Sequence, residues 1–201
     1  MRTISINITS TAKSLTAFSG LHLFDNLFHK FSIRSLIGNL MPTKKKNRGL
    51  ASFQKWFAGV MAFVAGAECI DDLDAFALDP FFHSLTGSPD PVTMGKFLRS
   101  FSVRQVEQIR NTLPVLAWSM RRYLDHNPRK IVFRMDGTTH EQFGLKMEGV
   151  EWNYKNINAL TSQNLFDERG LCYGFHLRSG ATHSSVGAIE MMELAFKTVS
   201  T

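Results

Sequence analysis

Cysteine is scarce: Cys69 and Cys172 stand far apart, in neither a metal-type nor a redox-type spacing. A disulfide framework has no support, and a reducing cytoplasm is the simplest setting. No apolar run suits a membrane span, because the longest, WFAGVMAFVAGAECI at 56–70, falls short of about 20 residues and contains two glycines. It reads as a buried helix. MRTISINITS at the start lacks the apolar core of a signal peptide; its isoleucines alternate at 4, 6 and 8, which suits a short strand or extended arm. No low-complexity tract argues for extended disorder, and 44% hydrophobic with 20% charged residues describes a chain that can bury a core.

Acids are nearly missing from the front. Residues 1–50 hold eight lysines and arginines against the single acid Asp25, whereas residues 51–100 hold three against six acids. The basic residues are densest in PTKKKNRG at 42–49, a loop bounded by Pro and Gly that carries Lys44, Lys45, Lys46 and Arg48. Such a loop either neutralises phosphates and steers a polyanion or serves as a solvated linker. The charge run alone allows both.

The first two-thirds of the chain have helical spacing. Leu15, Phe18, Leu21, Phe24, Leu27, Phe28 and Phe31 recur at three- and four-residue intervals, as one apolar face requires. A second helix is expected over 50–67. Asp79-Pro80 resembles an N-cap followed by a first-turn proline, and TGSPDP at 86–91 is a turn cluster before a helix over 93–101. SVRQ at 102–105 resembles a capping box heading a long helix to about Leu124.

At Lys130 the pattern changes. IVFRMD (131–136) is a strand candidate, and ALTSQNLFD (159–167), the turn DERG and LCYGFHL (171–177) read as a hairpin. RSGATH (178–183) follows as a loop, and the run from Ser184 is helical. Asp136 opens Asp-Gly-Thr, so it is either a turn residue or a carboxylate held at a strand end for chemistry.

In order and spacing, GLHLFDNLF, GAECIDDLDAFALDPFFHSLTG, PDPVTMGKFLRSF, IVFRMDGTTHEQFGLKMEG and HLRSGATHSS resemble bacterial insertion-sequence transposases of the DDE type, most closely the insertion sequence 1380-like group. The resemblance runs from about Leu15 to the end of the chain. It implies an α+β chain: a mostly helical DNA-binding or dimerisation region over 1–127, then over 128–201 an incomplete ribonuclease H-like domain of three antiparallel strands and one helix. It implies that Asp136 is the first catalytic carboxylate and a metal ligand. Relatives often carry another acid two positions earlier, where this chain has Arg134.

That chemistry transfers DNA strands by in-line attack on phosphorus, with two Mg²⁺ or Mn²⁺ ions about 3.5–4 Å apart holding the attacking and leaving oxygens. One Asp cannot hold both ions. In the family the second Asp and the Glu lie further along, beyond the position of Thr201, so residues 1–201 alone are expected to be inactive and to expose an unpaired strand edge and apolar surface. The implied partners are double-stranded DNA, the terminal inverted repeats, and a second copy or an intact transposase; the implied setting is the bacterial nucleoid. The alternative is a non-catalytic DNA-binding or dimerising module that regulates an intact transposase. Arg178 and His183, after the third strand, are candidates for DNA phosphate. Glu141 and Glu148 follow Asp136 closely; Asp167 and Glu168 fall in the hairpin turn and are expected to be solvated. His140, His176 and His183 show no metal spacing.

Overall fold

The computed structural model describes residues 16–44, 48–126, 128–144, 147–153 and 155–200. In chain order its helices are α1 (Leu21–Lys30), α2 (Ile33–Ile37), α3 (Ser52–Val64), α4 (Asp72–Phe76), α5 (Pro80–Thr86), α6 (Pro91–Leu98), α7 (Val103–Arg110), α8 (Leu113–Asp125) and α9 (Ala188–Val199). The strands are β1 (Phe133–Glu141), β2 (Glu151–Trp152), β3 (Asn158–Asp167) and β4 (Cys172–Ser179). The fold is α+β. The expected N-terminal arm, together with Lys45 and Lys46 of the basic loop, lies outside the described residues.

The described residues form two compact units, one drawn from within 16–30 and 41–101, the other from within 31–40 and 102–200. The helical unit is closed by local chemistry at its helix starts. Asp79 accepts hydrogen bonds from the Phe81 and Phe82 amides, both at 2.9 Å, and from Thr16 Oγ1 at 2.8 Å, while Pro80 supplies the first helical residue of α5. Asp90 repeats the arrangement before Pro91, accepting from the Thr93 amide at 2.8 Å. Phe57, Met61, Leu73, Phe82, Met94 and Phe97 form its buried apolar interior.

In the second unit the capping box at Ser102 is formed: Ser102 N donates to Gln105 Oε1 at 3.0 Å and Gln105 N to Ser102 Oγ at 3.3 Å. The long helix expected beyond it is two. Between α7 and α8 the chain breaks at Asn111 and Thr112, because Pro114 has no amide proton and its ring would collide with the Arg110 carbonyl in a continuous helix.

The sheet is antiparallel, with β3 in the middle. β1 lies on one side, paired without interruption from Phe133↔Asp167 to Glu141↔Ala159. β4 and the two-residue β2 share the other side, and β2 is a fourth strand beyond the three expected. Alternation then assigns the faces. Phe133, Met135, Leu165 and Tyr173 pack with Ala117 and Trp118 of α8 and with Met191, Met192 and Ala195 of α9. Phe133 meets the Tyr173 ring edge-to-face at 4.9 Å and the Phe196 ring at 5.6 Å. This packing places α8 in one unit with the sheet, although the helical pattern in the sequence runs on to residue 127. The outer edge of β1 pairs with no strand among the described residues, and Phe166, Phe175 and Leu177 are exposed.

Candidate functional site

Asp136 does not end its strand. β1 continues to Glu141 because β3 offers a partner all along it, and Gly137 is accommodated opposite Gln163. The carboxylate is exposed, and its Oδ1 accepts the Gly137 amide at 2.8 Å. Arg134, Asp136, Thr138 and His140 alternate with the core-facing residues of β1, and opposite them stand Asn164 and Ser162 of β3. Asn164 Nδ2 donates to Thr138 Oγ1 at 3.4 Å, and His140 Nε2 lies 2.8 Å from Ser162 Oγ. The neighbourhood is polar, with one carboxylate at its centre.

Among the described residues no three His, Cys, Asp or Glu come together as a metal-binding group. A two-ion centre needs several hard oxygen ligands on one spot. The described residues beside Asp136 do not fit that requirement.

Of the two hairpin-turn acids expected to be solvated, Glu168 is exposed while Asp167 is not, because Arg121 of α8 covers it. Asp167 is buried with its carboxylate 3.4 Å from Arg121 Nη1, and Glu168 pairs with Arg121 Nη2 while accepting the Val132 amide at 2.8 Å. That backbone hydrogen bond, helped by the Arg121 charge, holds the Glu168 carboxyl below its usual range. These acids tie the turn to α8.

Arg178 belongs to β4, not to a loop, and only 8% of it is exposed. Its Nη1 donates to Gln163 Oε1 at 3.0 Å and to the carbonyls of His183 at 3.2 Å and Val186 at 2.8 Å. It is not the surface residue expected for casual phosphate contact. His183 is exposed and lies against Ser185 Oγ at 2.8 Å.

In the helical unit the basic loop acquires partners that the charge run did not reveal. Lys44 and Arg48 line a groove of about 390 Å³ together with Lys55 of α3 and Lys96 of α6, and no acid lines it among the described residues. Lys44 Nζ donates to the Gly49 carbonyl at 2.5 Å, and Lys55 Nζ stands 5.8 Å from the Phe97 ring centroid. Lys55 and Lys96 are isolated cations in their own helices, so no charge cluster marked them in the sequence. Comparison of the chain with protein-family models, with curated proteins and with solved structures finds no match.

Proposed function

We propose that this chain is part of a DDE-type transposase, with the sheet-bearing unit as the opening portion of a ribonuclease H-like catalytic domain and the helical unit as its DNA-binding part. The observation that carries the reading is the exposed Asp136 carboxylate on β1, in an antiparallel β1, β3, β4 sheet whose opposite face is covered by the following helix α9. The outer edge of β1, unpaired among the described residues, suits the addition of a further strand. In this reading Asp136 is the first of three carboxylates, duplex DNA bearing terminal inverted repeats is the substrate, and Mg²⁺ or Mn²⁺ is bound only once the other carboxylates are supplied. The protein works at the bacterial nucleoid; no described helix is long and apolar enough to cross a membrane.

A second reading has its own support. The cationic groove is assembled wholly within the helical unit, whereas the carboxylates around Asp136 form no metal group among the described residues. A chain that binds duplex DNA without cutting it, and so competes with or pairs with an intact transposase, fits that asymmetry.

Cleavage assays separate the readings. Residues 1–201 leave DNA uncut in Mg²⁺ or Mn²⁺; joined to the C-terminal portion of an intact transposase of the same group, they cut, and Asp136→Asn abolishes cutting while duplex binding persists. A joined protein indifferent to Asp136→Asn overturns the catalytic assignment. DNA binding without cutting by the joined protein supports the regulatory reading.

A further inference from the structure

Arg178 is a buried cation with only neutral partners. Its three acceptors are an amide oxygen and two backbone carbonyls, its Nε is buried with no acceptor, and it forms no ion pair among the described residues. A guanidinium removed from water and left without a counter-charge is costly, so its surroundings should favour an anion.

Such a place adjoins it. A hollow of about 480 Å³ is lined by Arg178 of β4, Thr139 of β1, Thr161 of β3, Asn153, Thr182 and Ser184, and no Asp or Glu lines it among the described residues. Asn153 is a second buried residue with an unanswered donor: its Oδ1 accepts the Lys155 amide at 2.8 Å, and its Nδ2 is buried without an acceptor among the described residues. Both unsatisfied groups are donors, and the hydroxyls between them donate as readily as they accept. The complement of two buried donors, one positive charge and a ring of hydroxyls is a ligand that carries negative charge and only acceptors.

We propose that this hollow binds a phosphoryl oxyanion, held by the Arg178 guanidinium and Asn153 Nδ2 with Thr139 and Thr182 hydroxyls on its remaining oxygens. The site stands on this geometry and not on the transposase reading, within which its occupant is a phosphate of the DNA backbone. Outside that reading it is a free phosphate compound.

The test uses the full chain and inorganic phosphate, with chloride at matched ionic strength as reference. A ligand that binds the native state alone raises the unfolding midpoint progressively with concentration. Phosphate is expected to raise it beyond chloride, and Thr182→Val, Thr139→Val and Arg178→Lys are each expected to weaken the apparent phosphate affinity several-fold. The threonine substitutions nearly preserve shape, so they decide the matter even if Arg178→Lys does not fold. Equal responses to phosphate and chloride in the unsubstituted chain overturn the site, as does a phosphate response unchanged in both threonine variants. Duplex DNA binding weakened by Thr182→Val identifies the backbone phosphate as occupant, whereas unaltered duplex binding beside weakened phosphate binding identifies a free phosphate compound.

Discussion

Arg121, in the last turns of α8, faces Asp167 at the end of β3, with Nη1 3.4 Å from Oδ2 and both side chains buried. The same guanidinium meets Asp125 at 3.0 Å and pairs with Glu168, and Asp125 in turn receives Arg169 at 2.7 Å. Asp167 Oδ1 also accepts the Arg169 and Leu171 amides, both at 2.9 Å. One carboxylate thereby shapes the β3–β4 turn and fixes α8 against it.

Removing one member of this network strands the others. Arg121→Ala should lower the unfolding free energy of the sheet unit by about 3–5 kcal/mol, as breaking a buried pair does. Asp167→Asn should cost less, since an amide oxygen still serves the turn. Urea unfolding checks both, and an Arg121→Ala loss under about 1 kcal/mol would make the network ornamental. The double variant should lose less than the two single losses combined, because the partners share one interaction.

Tyr173 provides a pH test. Its side chain is buried, its hydroxyl has no partner among the described residues, and burial together with the Asp167 charge pushes the phenol up to about 12 from 10.0. A folded-state value above the unfolded one means stability fully present below pH 10 and lost as pH rises towards 12, on the order of 2 kcal/mol. Denaturant unfolding across that window should show the fall, with Tyr173→Phe flattening this part of it. A Tyr173→Phe profile that falls as steeply as the parent would assign the loss to other groups.

Gly180 is required for steric reasons. A β-carbon there would overlap the carbonyl oxygens of Ala159 and Glu151, both backbone atoms that cannot rotate away. Gly180→Ala should therefore destabilise by about 1–3 kcal/mol and loosen the β2 end of the sheet. Amide exchange should quicken at Trp152 and Ala159, while exchange at Met61, in the other unit, stays as it was. Unchanged exchange at the sheet end would refute the crowding.

The groove in the helical unit makes a quantitative claim about salt. If Lys44, Arg48, Lys55 and Lys96 contact backbone phosphates, each Gln substitution should reduce the slope of log affinity against log salt by about 0.9 for duplex DNA. Lys197→Gln on α9, outside the groove, should leave it unchanged. Fluorescence anisotropy over a salt series measures this, and equal slopes for parent and quadruple variant would return the loop to the role of linker.

Local chemistry was readable from the residues themselves. Asp79-Pro80 and the Ser102–Gln105 box form as their spacing implies, because each closes hydrogen bonds within three residues. The hairpin around 167–170 and the helix after it likewise follow from alternation, turn composition and three-to-four spacing. Pro114 carried the signal for the break between α7 and α8, but the strong periodicity on either side masked it.

Where an outcome depends on a distant partner, the residues alone left it open. β1 passes through Asp136 because β3, more than twenty residues on, pairs with it, and strand length is settled by the pairing. The Asp-Gly pair that reads as a turn is held extended by that ladder. Arg178 looked like a loop cation, and the placement of β4 beside Gln163 turned it inward. Lys55 and Lys96 join the basic loop only because α3 and α6 pack side by side, just as Arg121 meets Asp167 only across 46 positions of chain. Propensity, capping and periodicity act over a few residues, so the sequence determined the class of the fold and the starts of those helices, α5 and α7, that a local cap fixes. Burial, register and the gathering of like charges depend on which distant segments share a surface, and that only the tertiary structure decided.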